Sequence, residues 1–97
     1  MNLRYNFEAE LWRHKGSAGW YFVALPDELS AEIRLFNQHL EEGWGRLKAR
    51  AQLGSSEWDT AIWYDTRQQC YLLPIKASIR LKEKVQCGDN VSVNIRI

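Results

Sequence analysis

Apolar and polar side chains alternate with a period of two along three segments, and this alternation most constrains the fold. It is cleanest over residues 46–53, where leucine and alanine alternate with arginine, lysine and glutamine. A period of two is typical of a β-strand with one buried face. The same pattern runs over residues 5–12 and 91–97. The sequence therefore predicts strands near both ends of the chain and one in its middle.

Three further strands are predicted between these segments. Residues 20–25 form a continuous apolar run, which is typical of a strand covered on both faces. Residues 58–64 follow a Gly-Ser-Ser turn, so we expect them to pair antiparallel with residues 46–53. Residues 70–75 form a short strand that carries Pro74. Because proline cannot donate a backbone hydrogen bond, we expect Pro74 at the end of its strand or at a sheet edge.

An amphipathic helix is predicted to begin at Pro26. Proline suits the first turn of a helix, where its missing N–H costs nothing. Leu29, Ile33, Phe36 and Leu40 recur at spacings of four, three and four residues, which places them on one apolar stripe. A shorter helical turn is predicted further along the chain.

That helical turn covers residues 76–84, with Ile75, Ile79 and Leu81 expected to face the core. Gly88 and Asp89 then turn the chain into the last strand, since glycine accepts a positive φ and aspartate caps its own turn.

The predicted fold is mainly β: a small closed or partly open barrel of about six strands, with one amphipathic helix and a short helical turn. An α+β sandwich is the alternative. The length predicts a single domain, residues 1–97. The N-terminus lacks the apolar run of a signal peptide, and no segment approaches about 18 consecutive apolar residues. We therefore expect no membrane span and a cytoplasmic protein.

The sequence offers little catalytic or metal-binding chemistry. Cys70 and Cys87 lack CxxC spacing and nearby histidines, so we expect no metal, no cofactor and two free thiols. His14 and His39 adjoin no nucleophile motif. An enzyme, or an accessory domain of an enzyme, is therefore less favoured than a non-enzymatic module that binds a small ligand or a protein partner.

The best-defined polar group in the sequence combines Lys76, Arg80 and Asp89. Lys76 and Arg80 lie at i and i+4, on one face of the predicted helical turn. Two cations there could hold a phosphate or carboxylate, in a pocket or barrel mouth that would also include Trp20. The structural alternative is an ion pair between Arg80 and Asp89 that fixes the loop before the last strand.

A second candidate site lies on the polar face of residues 46–53. Arg46, Lys48 and Arg50 there, with Trp44, Trp58 or Trp63 nearby, could bind single-stranded nucleic acid. The structural alternative is cross-strand pairing with acidic residues, which the formal net charge of +1 favours.

The five tryptophans leave a further question open. Trp12 falls on the polar side of its predicted strand, and the side chain of Trp63 is expected on the face opposite that of Ile62. Exposed tryptophans would indicate a partner or a homodimer. The alternative is that the helix or long lysine and arginine side chains cover them.

Three ordered segments carry a family resemblance: Gly19-Trp20-Tyr21-Phe22-Val23-Ala24-Leu25-Pro26, then Tyr71-Leu72-Leu73-Pro74-Ile75-Lys76 with Arg80, then Gly88-Asp89-Asn90-Val91-Ser92-Val93. Their order and spacing resemble the domain of unknown function 1905, from about Phe7 onward. The resemblance implies a compact bacterial or archaeal β-barrel, sometimes found beside a YdeI/OmpD-associated domain, with no established activity. The motif positions that it carries over are Trp20, Pro26, Lys76, Arg80, Gly88 and Asp89. Residues 54–58 depart from the family pattern, being richer in polar and aromatic residues.

Overall fold

The computed structural model describes residues 3–16 and 19–97, apart from the side chain of Trp44. The strands in these residues are β1 (Arg4–Glu10), β2 (Trp12–Arg13), β3 (Tyr21–Ala24), β4 (Arg46–Leu53), β5 (Ser56–Asp65), β6 (Cys70–Pro74) and β7 (Asn90–Arg96). The helices are α1 (Asp27–Asn37), which continues into a 3₁₀ turn at Gln38–Leu40, and α2 (Ala77–Glu83); a second 3₁₀ turn, Gly43–Gly45, precedes β4.

The strands form one antiparallel sheet that curls into a half-barrel, which confirms the predicted mainly β class. The strand order is β1-β7-β4-β5-β6-β3-β2. The two end strands of this order, β1 and β2, are consecutive in the chain and separated by Leu11 alone. One N-terminal segment therefore pairs with β7 at one end of the sheet and with β3 at the other.

The single strand predicted over residues 5–12 is thus two strands, and this accounts for seven strands rather than about six. The division lies at Leu11, whose side chain is fully buried. Its backbone N–H donates to the carbonyl of Asp89 at 2.8 Å, and its carbonyl accepts from the N–H of Gly88 at 2.7 Å. Gly88 has a φ of +97°, as the sequence predicted for this turn.

The core lies on the inner face of the curled sheet. The alternation over β4 is confirmed, since its leucines and alanines are buried while its arginines, lysine and glutamine are not. Pro74 ends β6, as expected. The main contributors to the core are Tyr5, Phe7, Leu11, Val23, Leu25, Ile33, Leu47, Ala51, Leu53, Trp58, Ile62, Tyr71, Leu73, Ile75, Ile79, Val91, Val93 and Ile95.

The predicted apolar stripe of α1 is wrong in two of its four positions. Ile33 is buried and Leu29 is half-buried, but Phe36 and Leu40 are 58 % and 54 % exposed. The buried face instead follows Ser30, Ile33 and Asn37. Small polar residues occupy this face because they satisfy backbone groups: Ser30 donates to the carbonyl of Leu25, and Asn37 donates to that of Ile33.

The second predicted helix is confirmed as α2, and Ile79 is buried in the core. Leu81 is 80 % exposed, so its predicted inward orientation is wrong. Two residues from Ile79 correspond to about 200° of helix rotation, which places Leu81 on the opposite face.

Candidate functional site

Three of the four residues predicted for the ligand pocket line one cavity. Trp20, Lys76 and Arg80 surround a space of about 350 Å³, which we call the Trp20 cavity. Lys76 is the N-cap residue of α2, and Arg80 lies one turn later. The fourth residue, Asp89, is not part of its lining.

The cavity lies where β5 and β6 separate. The two strands pair through Trp63↔Leu72, Tyr64↔Tyr71 and Asp65↔Cys70. Before Trp63, β5 continues beside β4, while β6 leads through Pro74 towards α2. The cavity occupies this opening, with Trp58, Thr60 and Ile75 in its lining.

Two contacts hold the guanidinium of Arg80 in position. Its Cζ lies 3.6 Å from the ring centroid of Tyr21, which is a cation–π geometry. Its Nε donates to the carbonyl of Ile75 at 3.2 Å. Among the described residues, its two terminal nitrogens form no hydrogen bond, so they remain able to donate to an anion.

Trp20 contributes an aromatic surface to the lining that it shares with Lys76 and Arg80. Its side chain is 51 % exposed and stacks on Phe22, with ring centroids 5.5 Å apart and planes inclined by 20°. Phe22 in turn contacts Trp12 at 5.3 Å between centroids. This packing limits the motion of a largely exposed indole, which is the arrangement expected of a stacking surface.

The ion pair between Arg80 and Asp89, which was the structural alternative for this cluster, does not form in the described part of the chain. The Oδ2 of Asp89 instead accepts a hydrogen bond from the backbone N–H of Gln86 at 2.9 Å, which closes the turn before β7. Its backbone carbonyl accepts from Leu11. Asp89 therefore stabilises the turn that attaches the N-terminal segment to β7, and it has a structural role that the sequence predicted only in part.

The cations of β4 lie along a larger groove on the outer face of the sheet, the face opposite the core. This basic groove has a volume of about 900 Å³. Arg46, Lys48 and Arg50 all contribute to it, together with Arg96 of β7. The outer-face position of the three β4 residues agrees with the prediction.

Acidic residues contact each of these β4 cations. Arg46 forms an ion pair with Glu42, and Lys48 lies 3.9 Å from the same carboxylate. Arg50 binds Asp59 across the β4–β5 pair at 2.8 Å. The structural alternative for this face was pairing of its cations with acidic residues, and such pairs do form.

The tryptophans around this groove differ from one another. Trp63 is 37 % exposed and lies with its ring centroid 5.6 Å from the guanidinium of Arg46. Trp58 is buried in the core, so the prediction that it could lie on this surface is wrong. The side chain of Trp44 is outside the described part of the chain.

A polar cluster that sequence reasoning missed lies between α1 and the strands. The hydroxyl of Tyr71 donates to Glu41, and the guanidinium of Arg34 lies 3.7 Å from the ring centroid of Tyr64. Burial, followed by the hydrogen bond to Glu41, raises the pKa of Tyr71 above its usual value of 10. No sequence signal indicates this cluster, because its members are up to 37 residues apart in an unpatterned order.

Within residues 3–16 and 19–97, no three His, Cys, Asp or Glu residues are grouped so that they could hold a metal ion. No helix in that part of the chain is both long and apolar enough to cross a membrane.

Comparison with known proteins identifies the family. The family model for a domain of unknown function, DUF1905, matches residues 7–95 of the 97. The chain belongs to the DUF1905 family. The match runs from within β1 into β7, so it includes β2 to β6 and most of the two outer segments, and the resemblance in the sequence is confirmed. A search of the curated proteins found no match to this DUF1905 chain.

Proposed function

We propose that this DUF1905 domain is a non-enzymatic binding module that takes a small anionic ligand in the Trp20 cavity. The observation that carries the proposal is the fixed guanidinium of Arg80 in the wall of an open cavity. An arginine whose Nε is already occupied can still offer two terminal N–H groups to one carboxylate or phosphate.

The rest of the lining suits an anion that carries a flat apolar group. Lys76 adds a second positive charge at the exposed rim. Trp20 provides a largely exposed ring surface in the same cavity lining. Arylcarboxylates and nucleotides combine a flat ring with an acidic group, so they match both features of the cavity.

Binding of small anions tests the role of Arg80. Inorganic phosphate, benzoate and thymidine 5′-monophosphate serve as probes, with isothermal calorimetry as the readout. We expect at least one ring-bearing anion to bind, and Arg80→Ala to weaken it by about ten-fold or more, because a charge-assisted hydrogen bond contributes about 1.5–3 kcal/mol.

Lys82→Ala is the matched control, because it removes an exposed cation from α2 that is outside the cavity lining. Lys76→Ala should weaken binding with little loss of thermal stability, since Lys76 is exposed. If the Arg80→Ala protein binds every probe as the Lys82→Ala protein does, the Trp20 cavity is not the site.

A further inference from the structure

The Trp20 cavity and the basic groove form one continuous surface. Their linings share Asp59, Thr60 and Pro74, so the cavity opens directly into the groove. A ligand seated against Arg80 can therefore extend past Pro74 onto the outer face of β5 and β4. This continuity requires the separation of β5 from β6, because full pairing of the two strands would close the opening.

Cations are concentrated along this surface, although the whole chain is nearly neutral. The described linings contain six of the 13 lysine and arginine residues but one of the 12 acidic residues, Asp59. The six cations are Arg46, Lys48, Arg50, Lys76, Arg80 and Arg96. The sequence hides this segregation, because these residues come from β4, the start of α2 and β7. Such a surface favours an extended polyanion over a neutral chain.

Aromatic and other apolar side chains form a band beside the cations. On the outer face, strand register aligns Trp12, Phe22 and Pro74 in one row. A second row aligns Ala24, Leu72, Trp63 and Arg46. Trp20 packs on Phe22 of the first row, and Trp63 belongs to the second. Two partly exposed tryptophans thus lie next to two parts of the same basic surface.

We propose that this surface binds single-stranded nucleic acid, with one base stacked on Trp20, another on Trp63, and the phosphates along the cations between and beside them. The proposal rests on the proposed function, because it places the terminal nucleotide in the Trp20 cavity. Stacking on aromatic side chains combined with a basic groove is how sequence-tolerant proteins bind single strands.

The two tryptophans favour nucleic acid over an acidic peptide. Carboxylates of a peptide would need only the cations, whereas every nucleotide also has a flat ring to place on an exposed indole. The acidic neighbours limit the electrostatic contribution. Glu42 and Glu57 contact cations from the rim, and Asp59 binds Arg50. Six cations against three carboxylates leave a net charge of three, so we expect a slope of log K against log salt of roughly −2.

The test compares thymidine 5′-monophosphate with a fluorescent oligonucleotide of eight thymidines, using fluorescence anisotropy and calorimetry. Eight nucleotides fall within the roughly 4–16 that one oligonucleotide-binding fold contacts. We expect the oligonucleotide to bind at least ten-fold more tightly than the mononucleotide. Raising the salt concentration should weaken binding of the oligonucleotide, with a slope of log K against log salt of roughly −2.

Two variants of the groove distinguish it from the cavity. Trp63→Ala should weaken binding of the oligonucleotide by roughly ten-fold, as expected for one lost stacking contact. It should leave binding of the mononucleotide unchanged. Lys48→Glu should also weaken oligonucleotide binding and make the salt slope shallower by roughly 1.4, because the net charge of the surface falls from three to one. Lys48 is exposed, so this variant tests the groove even if Trp63→Ala lowers stability. Arg67→Glu is the matched control, because Arg67 is exposed and outside both linings.

The outcomes separate this inference from the proposed function. The extended site is overturned if the oligonucleotide binds no more tightly than the mononucleotide. It is also overturned if Trp63→Ala and Lys48→Glu weaken oligonucleotide binding no more than Arg67→Glu does. Neither result contradicts ligand binding in the Trp20 cavity. If Arg80→Ala leaves oligonucleotide binding unchanged, the Trp20 cavity and the basic groove do not act as one continuous binding surface. A dimer in sedimentation at micromolar concentration that Trp63→Ala dissociates would assign the face to a second copy of the chain and also overturn the proposal.

Discussion

At the scale of single residues, Ser30 shows how a polar side chain can be required inside a core. It is fully buried, and its Oγ donates to the carbonyl of Leu25 at 3.3 Å and accepts from the N–H of Tyr71 at 3.1 Å. Ser30→Ala leaves both backbone groups buried without this partner. We expect it to lower the free energy of unfolding by about 1–3 kcal/mol, measured by urea denaturation.

Ser78→Ala is the control for this prediction. Ser78 is an exposed residue of α2, so its replacement by alanine should be neutral or slightly stabilising. Equal stability of the two variants would show that the hydrogen bonds of Ser30 contribute little, and that α1 is held on β6 by Ile33 and its neighbours instead.

At the scale of elements, the β4–β5 turn is joined to the end of α2 by one carboxylate. Glu83 accepts hydrogen bonds from the hydroxyls of Ser56 at 2.5 Å and Ser55 at 3.1 Å, and from the N–H of Ser55 at 3.2 Å. Glycine suits position 54, because its φ is +60° and an added Cβ would displace the carboxylate of Glu83, whose Oε1 would lie 1.8 Å away. The turn and the helix are therefore fitted to each other.

This contact predicts a pH dependence. The hydrogen bond from Ser56, followed by those from Ser55, lowers the pKa of Glu83 below its usual value of 4.5. A carboxyl with a lowered folded-state pKa stabilises the fold above its unfolded-state pKa, and this stabilisation is lost as the pH falls through the folded-state pKa. The melting temperature of Glu83→Gln should be lower than that of the wild type at pH 7, and the difference should shrink below about pH 4.5.

Glu8→Gln is the matched control for the pH series. Glu8 is an exposed carboxylate of β1 that forms no ion pair within the described part of the chain. Its replacement should leave the difference from wild type small at every pH. A Glu83→Gln deficit that stays constant from pH 7 to pH 3 would mean that the contact depends on side-chain shape rather than on charge.

Elements were predictable from the sequence where burial alone decides the pattern. The alternation over β4 and the end of β6 at Pro74 both depend on the side chains of one strand, and both are confirmed. On α1 the apolar pattern misleads, because Ser30 and Asn37 take buried positions to satisfy backbone groups, which leaves Phe36 exposed. Hydrophobicity carries no information about that requirement.

The candidate site was predictable to a similar extent. Lys76 and Arg80 share a helix face at close spacing, so their proximity follows from local structure. The partner of Arg80 could not be predicted in the same way. An arginine near an aspartate in sequence suggests an ion pair, but the curled sheet places the ring of Tyr21, some 60 residues earlier, beneath the guanidinium. Long-range packing decides that contact, and the sequence pattern does not show it.

At the scale of the whole molecule, one residue of the N-terminal segment links the two ends of the curled sheet. Leu11 lies between β1 and β2, so it joins the β7 end of the sheet to the β3 end. Its side chain is fully buried, and Leu11→Ala should lower the free energy of unfolding by about 2–5 kcal/mol. Leu47→Ala, in the middle of the sheet, is the matched control because Leu47 is also almost fully buried.

The two substitutions should differ in where the sheet opens rather than in how much stability is lost. Native-state hydrogen exchange should show Leu11→Ala accelerating exchange most at the amides of Leu11, Gly88 and His14, whose hydrogen bonds attach the N-terminal segment to the turn before β7 and to the chain before β3. The β4–β5 amides should be less affected, because that ladder does not involve the N-terminal segment. Leu47→Ala should show the reverse preference. If both variants accelerate exchange equally throughout the sheet, the half-barrel opens as a single cooperative unit, and the N-terminal segment has no separate role in holding its two ends together.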